Sequence, residues 1–414
     1  MFLTKEEQEM CEGKYGPGTE RAMKMLVKYG EAFDAEKMVP VKSGHVLSDP
    51  YDWVSQMTEE VDRMRIFTTT HSLYPRAQWW RKMGIDEENS RAYTQDYDEL
   101  FKEYDRLECV PAATCVPYLI GNLVKMGDHF SWPGSSGIVT VNSLLGGRGN
   151  RDASPTTWLS AITGRTPNML LHKKENRYGQ ILVELDNLDL ENFTFADYGT
   201  LGYYIGGIAG VKNVVIDGVP DSTSFEHMKF LLSPLPVSGA VALCHVVGVT
   251  PEAPTLEEAL LGRKPEERVT VGQKEFREAY DSLNTAKSDE VDLVVFGCPH
   301  CSIMEIKEIA SLLRDKKISG NVRLWVSTAH QIYALAERAG YVDAIEKAGG
   351  TVITGGCVGP GLEGPLREGV NVVATNSARA AHYIVRGGGN PIAAKYGSTK
   401  DCIDSALTGK WRAR

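Results

Sequence analysis

Cysteine is sparse in this chain, so cross-links cannot carry its stability. Eight cysteines in 414 residues are far below the density of a disulfide-stapled scaffold, and burial of apolar side chains must hold the fold instead. Long apolar runs are missing as well: no stretch of about 18 uninterrupted apolar residues occurs, which excludes a membrane-spanning helix. The opening segment MFLTKEEQEMCEGKYG is charged from Lys5 onward and has no apolar centre of the kind a secretion signal needs. The expectation is a cytoplasmic protein whose cysteines are thiols. Positive charge is also in short supply, with 45 Lys and Arg against 54 Asp and Glu and a net charge of −9. No basic surplus exists to gather nucleic acid or anionic lipid, and neither is expected as a partner.

What is present is the composition of an ordinary enzyme, 42% hydrophobic and 24% charged, at a length that calls for two or three domains. The first region, 1–110, reads as mainly helical α/β. GTERAMKMLVKYGEAF spaces Ala22, Met23, Met25 and Leu26 roughly as one helix face, and RAYTQDYDELFKEYDRL continues as an acidic amphipathic helix to about Leu107. Over 111–285 the composition shifts to glycine and short apolar runs. GIVTVNSLLG, ILVEL and GAVALCHVVGV predict buried strands and tight turns, while the charged stretch from Ala253 to Val291 reads as helix and linker.

The third region, 286–414, alternates clearly. DLVVFGCPH, NVRLWVSTA, TVITGGCVG and NVVATNSA are β-rich runs, separated by SIMEIKEIASLLRDKK, HQIYALAERAGYVDAIEKAGG and GPGLEGPLREG, of which the first two are strong amphipathic helices. This alternation predicts a parallel, doubly wound α/β domain. Ligands of such sheets bind outside the carboxyl ends of the strands. Cys298-Pro299-His300, Ser327-Thr328, Gly356-Cys357 and Asn376-Ser377 should therefore share one crevice, which brings Cys298 toward Cys357.

Three readings of the sulfur chemistry remain open on spacing alone. Cys298 and Cys301 make a CxxC pair after a strand, where a helix N-terminus favours a thiolate and redox exchange. Cys115, Cys298, Cys301 and Cys357 have the donors for a closed tetrahedral zinc site in a noncatalytic assembly subunit. Cys115, Cys298 and Cys357 alone supply three thiolates on loops, enough to hold an iron–sulfur cubane and leave one iron open. A two-iron cluster or a single iron is compatible with the same donors. An open iron activates a hydroxyl as a leaving group while a base removes the proton α to a carboxylate. Arg148 and Arg151, in the glycine-rich turn NSLLGGRGNRD, are candidates to grip that carboxylate in bidentate fashion. Cys11, Cys109, Cys244 and Cys402 read as packing residues.

The motifs TCVPYLIGN, SSGIVTVNSLLGGRGNRD, TGRTPNMLLHKKENR, LGYYIGGIAG, FGCPHCSIMEI, GGCVGPG and TNSARAAHY, in this order, resemble the large catalytic subunit of the aconitase X family along essentially the whole chain. The resemblance implies an aconitase-like fold of three α/β domains, with parallel or mixed sheets around a central cleft. It also implies a separate small subunit that completes the site and hydro-lyase chemistry on a small 3-hydroxy acid, mevalonate 5-phosphate or cis-3-hydroxy-L-proline. The family's iron ligands match Cys115, Cys298 and Cys357, and its cofactor is an iron–sulfur cluster, 4Fe-4S being the expectation.

Several motifs depart from the family pattern. Gly355-Gly356 stands before Cys357 where Asp-Thr is usual, WPGSSG lacks the usual acid, and GRGNRDASP keeps Arg148, Asn150 and Arg151 but loses a threonine. These departures bear on which acid is the substrate. His300 and Ser377 are candidate catalytic residues, Ser377 as an alkoxide-like base in the manner of aconitase or as a helix N-cap. Ser135, Ser136, Asn142, Ser143, Asn376 and Arg379 are further candidates for substrate contact. Lys42, Arg165 and Lys173 are candidates for a phosphate.

Overall fold

The computed structural model describes residues 1–72, 77–85, 88, 96–357, 368–386 and 392–412. Three sheet-containing units follow one another, and what positions the site is where their strands end.

In the first unit, strands β1 (Met38–Pro40) and β2 (Ser43–Val46) follow the helix Pro17–Ala32, which starts at a proline and buries Ala22, Met23 and Leu26. Met25, placed on the same face by spacing, is exposed. β2 is flanked by parallel β3 (Thr68–Thr70) and β4 (Phe130–Ser131), and β1 pairs antiparallel with β5 (Arg165–Pro167). The helix Ser154–Thr163 packs Trp158 and Ile162 into the same core as Met23 and Leu26. Composition alone puts a boundary near residue 110, but β4 and β5 return to the N-terminal strands, because strand pairing joins segments distant in sequence.

The second unit is a parallel sheet ordered β8-β7-β6-β9, from β6 (Ile181–Leu185), β7 (Val214–Asp217), β8 (Cys244–Val246) and β9 (Glu267–Val271). β9 falls in the charged stretch read as helix and linker. Its alternation is masked by Glu267, Arg268 and Thr270 on an edge strand.

In the third unit β10 (Leu293–Cys301) lies at the centre of an all-parallel sheet, β12-β11-β10-β13-β14. Its companions are β11 (Arg323–Thr328), β12 (Thr351–Thr354), β13 (Val372–Thr375) and β14 (Ala393–Tyr396). The expected doubly wound domain is present, with β14 as an additional edge strand. HQIYALAERAGYVDAIEKAGG is two helices, His330–Arg338 and Tyr341–Ala348, broken where Gly340 takes φ of 76°. GPGLEGPLREG lies almost wholly outside the described residues.

One expectation fails outright. GIVTVNSLLG, read as a strand from its β-branched residues, is the buried helix Ser135–Leu144. Every residue from Ser136 to Ser143 is buried, so no polar face reports the helical period.

Candidate functional site

β10 loses its regular pairing with β11 between Phe296 and Cys301, just where the CPHC turn leaves the sheet. Gly297 sits there at φ of 106°, and a Cβ on it would stand 2.2 Å from the carbonyl oxygen of Ser327. Glycine therefore permits both the turn and the close approach to β11. Cys298 then packs beside Leu293, Val295 and Trp325, whereas Cys301 packs beside Phe296 and Ile306 in a different core cluster. The two cysteines of the CxxC thus pack into different core clusters.

His300 ties the cysteine-bearing loops together. Its Nε2 lies 2.8 Å from the carbonyl oxygen of Gly356, the residue before Cys357. Its Nδ1 lies 2.9 Å from the hydroxyl of Thr114, the residue before Cys115. Its backbone N–H donates to Cys115 Sγ at 3.2 Å. A carbonyl only accepts, so the neutral ring carries its proton on Nε2, and the Thr114 hydroxyl, which itself accepts from the Val116 N–H at 3.2 Å, donates to Nδ1. Burial lowers His300 to about pKa 4, well away from the charged form. Both ring nitrogens are spent on protein. His300, expected as a catalytic group, is a strut.

The thiols feel one another. Cys298 is hydrogen-bonded to Cys357, and this contact together with burial pushes its thiol well above the ordinary cysteine range. Cys115 is pushed up to about 11 by burial and by Cys357, partly offset by the His300 N–H. Among the described residues no group of three or more His, Cys, Asp or Glu side chains converges on a single metal-ion position.

The other expected residues divide in two. Arg379, at the start of the helix Ala378–Arg386, donates to Ser135 Oγ at 3.3 Å and stacks over Tyr383. Its charge is felt at Cys115 and Cys298, and, after partial burial, it helps lower Arg151 below the ordinary arginine value. One guanidinium, that of Arg379, therefore acts on the thiols, and Arg151 lies within its field. Ser377 caps that helix, accepting from Ala380 N at 3.0 Å while its hydroxyl donates to the carbonyl of Cys298. Its proton is engaged in holding the turn, not poised as a base. Asn376 donates to Thr399 Oγ1 at 3.2 Å, and Ser136 is buried in the first turn of Ser135–Leu144.

Asn142, Ser143 and Asn150 do not join them. Asn142 donates to the carbonyls of Gly149 and Ala242 and accepts from Gly149 N, Ser143 accepts from Cys244 N, and Asn150 accepts from Leu171 N. These side chains satisfy buried backbone instead of substrate. Arg148 lies at the far end of Ser135–Leu144, lining a cavity of about 520 Å³ with Lys174, Arg177 and His245. Arg165 is paired with Glu6 and Glu7, at 2.7 and 3.1 Å.

Two residues escaped sequence reasoning. Lys229, fully buried in the helix Phe225–Leu232, donates to the carbonyl of His300 at 2.7 Å and pairs with Glu305 at 2.5 Å. Burial alone would lower it, but Glu305 and Cys301 keep its ammonium above the ordinary lysine value. A lone lysine inside FEHMKFLL was the available signal. The other is His71, just after β3 in TTTH, whose ring lies against Gly134.

Parallel α/β units, with cysteines gathered where the strands end, define the protein as an aconitase-like enzyme. Models of the first, second and third domains of aconitase X match residues 1–175, 179–281 and 291–408. The chain belongs to the aconitase X family. It is 35% identical to the phosphomevalonate dehydratase large subunit of Methanocaldococcus jannaschii, with 93% of this chain and 95% of that protein covered. It is 28% identical to the cis-3-hydroxy-L-proline dehydratase of Pseudomonas aeruginosa, over 98% of this chain and 70% of that protein. The solved holo-form of Thermococcus kodakaraensis aconitase X superposes with a TM-score of 0.85 at 29% identity, covering 98% of this chain and 100% of that one. These relatives are dehydratases, and the chain is a hydro-lyase. Among the described residues no helix is long and apolar enough to cross a membrane.

Proposed function

We propose that this chain is the large subunit of a cytoplasmic heterodimer that removes water from a small 3-hydroxy carboxylic acid, with an iron–sulfur cluster held by Cys115, Cys298 and Cys357. The observation that carries the reading is His300, whose three hydrogen bonds join the loops bearing these cysteines. A strut of that kind is needed where ligands far apart in sequence must keep one geometry. When bound, an iron with an open position supplies Lewis acidity toward the substrate hydroxyl.

The chain's own side chains supply the rest. Arg379, oriented by Ser135 and Tyr383, and Arg151 beside it form a cationic wall that binds the carboxylate and stabilises the charge that grows on it when the α-proton leaves. Ser377 and Lys229 hold the Cys298 and His300 carbonyls, so the turn does not shift as charge moves. A small subunit would close the cleft and exclude water, as the name "large subunit" of the relatives suggests.

The test is anaerobic reconstitution of the chain with iron, sulfide and its small subunit, followed by mevalonate 5-phosphate and cis-3-hydroxy-L-proline in separate assays. The expected result is release of water from one of them, lost on exposure to oxygen. Iron-loaded heterodimer that dehydrates neither acid would refute the reading.

A further inference from the structure

His71 belongs to none of the contacts assigned above. Its backbone is pinned on both sides: the N–H donates to Val46 O at 2.8 Å, and Ser48 Oγ donates to its carbonyl at 2.8 Å. The ring packs at 5.4 Å from that of His45. Its Nδ1 lies 3.4 Å from the carbonyl oxygen of Ser72 and 3.2 Å from the Ser72 hydroxyl. With its proton on Nδ1, donated to the Ser72 carbonyl, the neutral ring presents a bare lone pair at Nε2.

That nitrogen faces Gly134. A Cβ on Gly134 would stand 2.9 Å from Nε2, so the glycine leaves the nitrogen uncovered. Gly134 is followed at once by Ser135, the residue that accepts from Arg379. The electrostatics agree with this placement, since Arg379 acts on the His71 ring and His71 acts on His300. Burial first, and Arg379 second, lower the imidazole to about pKa 4, so it is neutral at physiological pH. An anion bound at Arg379 offsets that guanidinium and makes proton uptake by the ring easier. His300 and Ser377, the groups the motifs single out for proton transfer, have their polar atoms engaged by the protein.

We propose that His71 Nε2 is the catalytic base that takes the proton α to the substrate carboxylate, an inference that rests on the dehydratase reading above. The carbon–hydrogen bond breaks and its proton passes to Nε2. The electron pair becomes the carbon–carbon double bond as hydroxide leaves the neighbouring carbon. His71 then returns the proton to water, so the sum is one unsaturated acid and one water.

The experiment compares H71Q and H71A with wild type in the reconstituted heterodimer at equal iron content. For both variants kcat should fall on the order of 100-fold or more while KM stays within about threefold, the signature of an interaction made only in the transition state. Added imidazole should restore part of the H71A rate. Substrate deuterated at the α-carbon should show a larger isotope effect in H71Q than in wild type. H71Q with wild-type kcat and an unchanged isotope effect overturns the assignment while leaving the dehydratase reading intact. Loss of iron from both variants overturns it too, by making His71 a support of the centre. A wild type that dehydrates no hydroxy acid removes the underlying reading, and this one with it.

Discussion

Lys229 and Glu305 form a buried ion pair, 2.5 Å apart, that joins the second unit to the third directly behind the cysteine turn. The same ammonium donates to the carbonyl of His300, and the same carboxylate accepts from Ser302 N. One lysine thus ties a helix of one unit to the strand end that carries Cys298. Removing one member of such a pair leaves an uncompensated charge in the core, at a cost of about 3–5 kcal/mol.

K229M should therefore unfold at markedly lower denaturant, while K229M combined with E305L recovers much of the loss. In the iron-free chain K229M should also speed alkylation of Cys298, because its turn loses an anchor. Denaturant titration and thiol-trapping rates measure the two effects. Wild-type stability in K229M would contradict the role given to the pair.

The strut makes a separate prediction. H300A removes the ties to Thr114 and Gly356, so the loops of Cys115 and Cys357 lose their common reference. Iron affinity should fall about 10–100-fold, the usual effect of losing an outer partner at a metal site. Iron content after gel filtration reads this directly.

The cysteines discriminate between the sulfur chemistries. C115S, C298S and C357S should each abolish iron loading and activity, whereas C301A, which alters a thiol packed in a different core cluster beside the Lys229–Glu305 pair, should keep both. A redox enzyme built on the CxxC would give the reverse pattern at Cys301 and Cys357. Visible absorption after reconstitution and turnover assays report the result.

Asp152 supplies a pH dependence away from the thiols. It is buried, accepts from Ser131 Oγ at 2.8 Å, and is raised by burial from 3.8 to about 7. Its folded-state pKa lies above the unfolded value, so the folded chain binds this proton more tightly. The contribution is fully present below about pH 4 and is lost as pH rises through 7. D152N should flatten that part of the stability profile and gain on wild type at high pH, by a few kcal/mol at about 1.4 kcal/mol per pKa unit. Urea midpoints across pH 5 to 8 show it.

The third unit was legible because its strands are continuous apolar runs and its helices amphipathic, so the change of period marks each boundary. Helix Ser135–Leu144 was not, since burial on every side erases the contrast on which periodicity depends. The boundary near residue 110 suffered similarly: composition reports local chain properties, whereas β4 and β5 pair with strands formed earlier in the chain.

The sequence by itself determined that three particular cysteines were worth grouping and that parallel strand ends would carry two of them to one crevice. It could do so because strand–helix alternation dictates which chain ends meet. Only the tertiary structure decided what surrounds them. It turned His300 and Ser377 from reagents into supports, spent Asn142, Ser143 and Asn150 on backbone, and carried Arg148 to another cavity. It also brought Lys229 to the cysteine turn from another unit, and His71 against Gly134. Hydrogen-bond capacity is exhausted by whichever partner is nearest in space, and nearness across units is not encoded in any local pattern of residues.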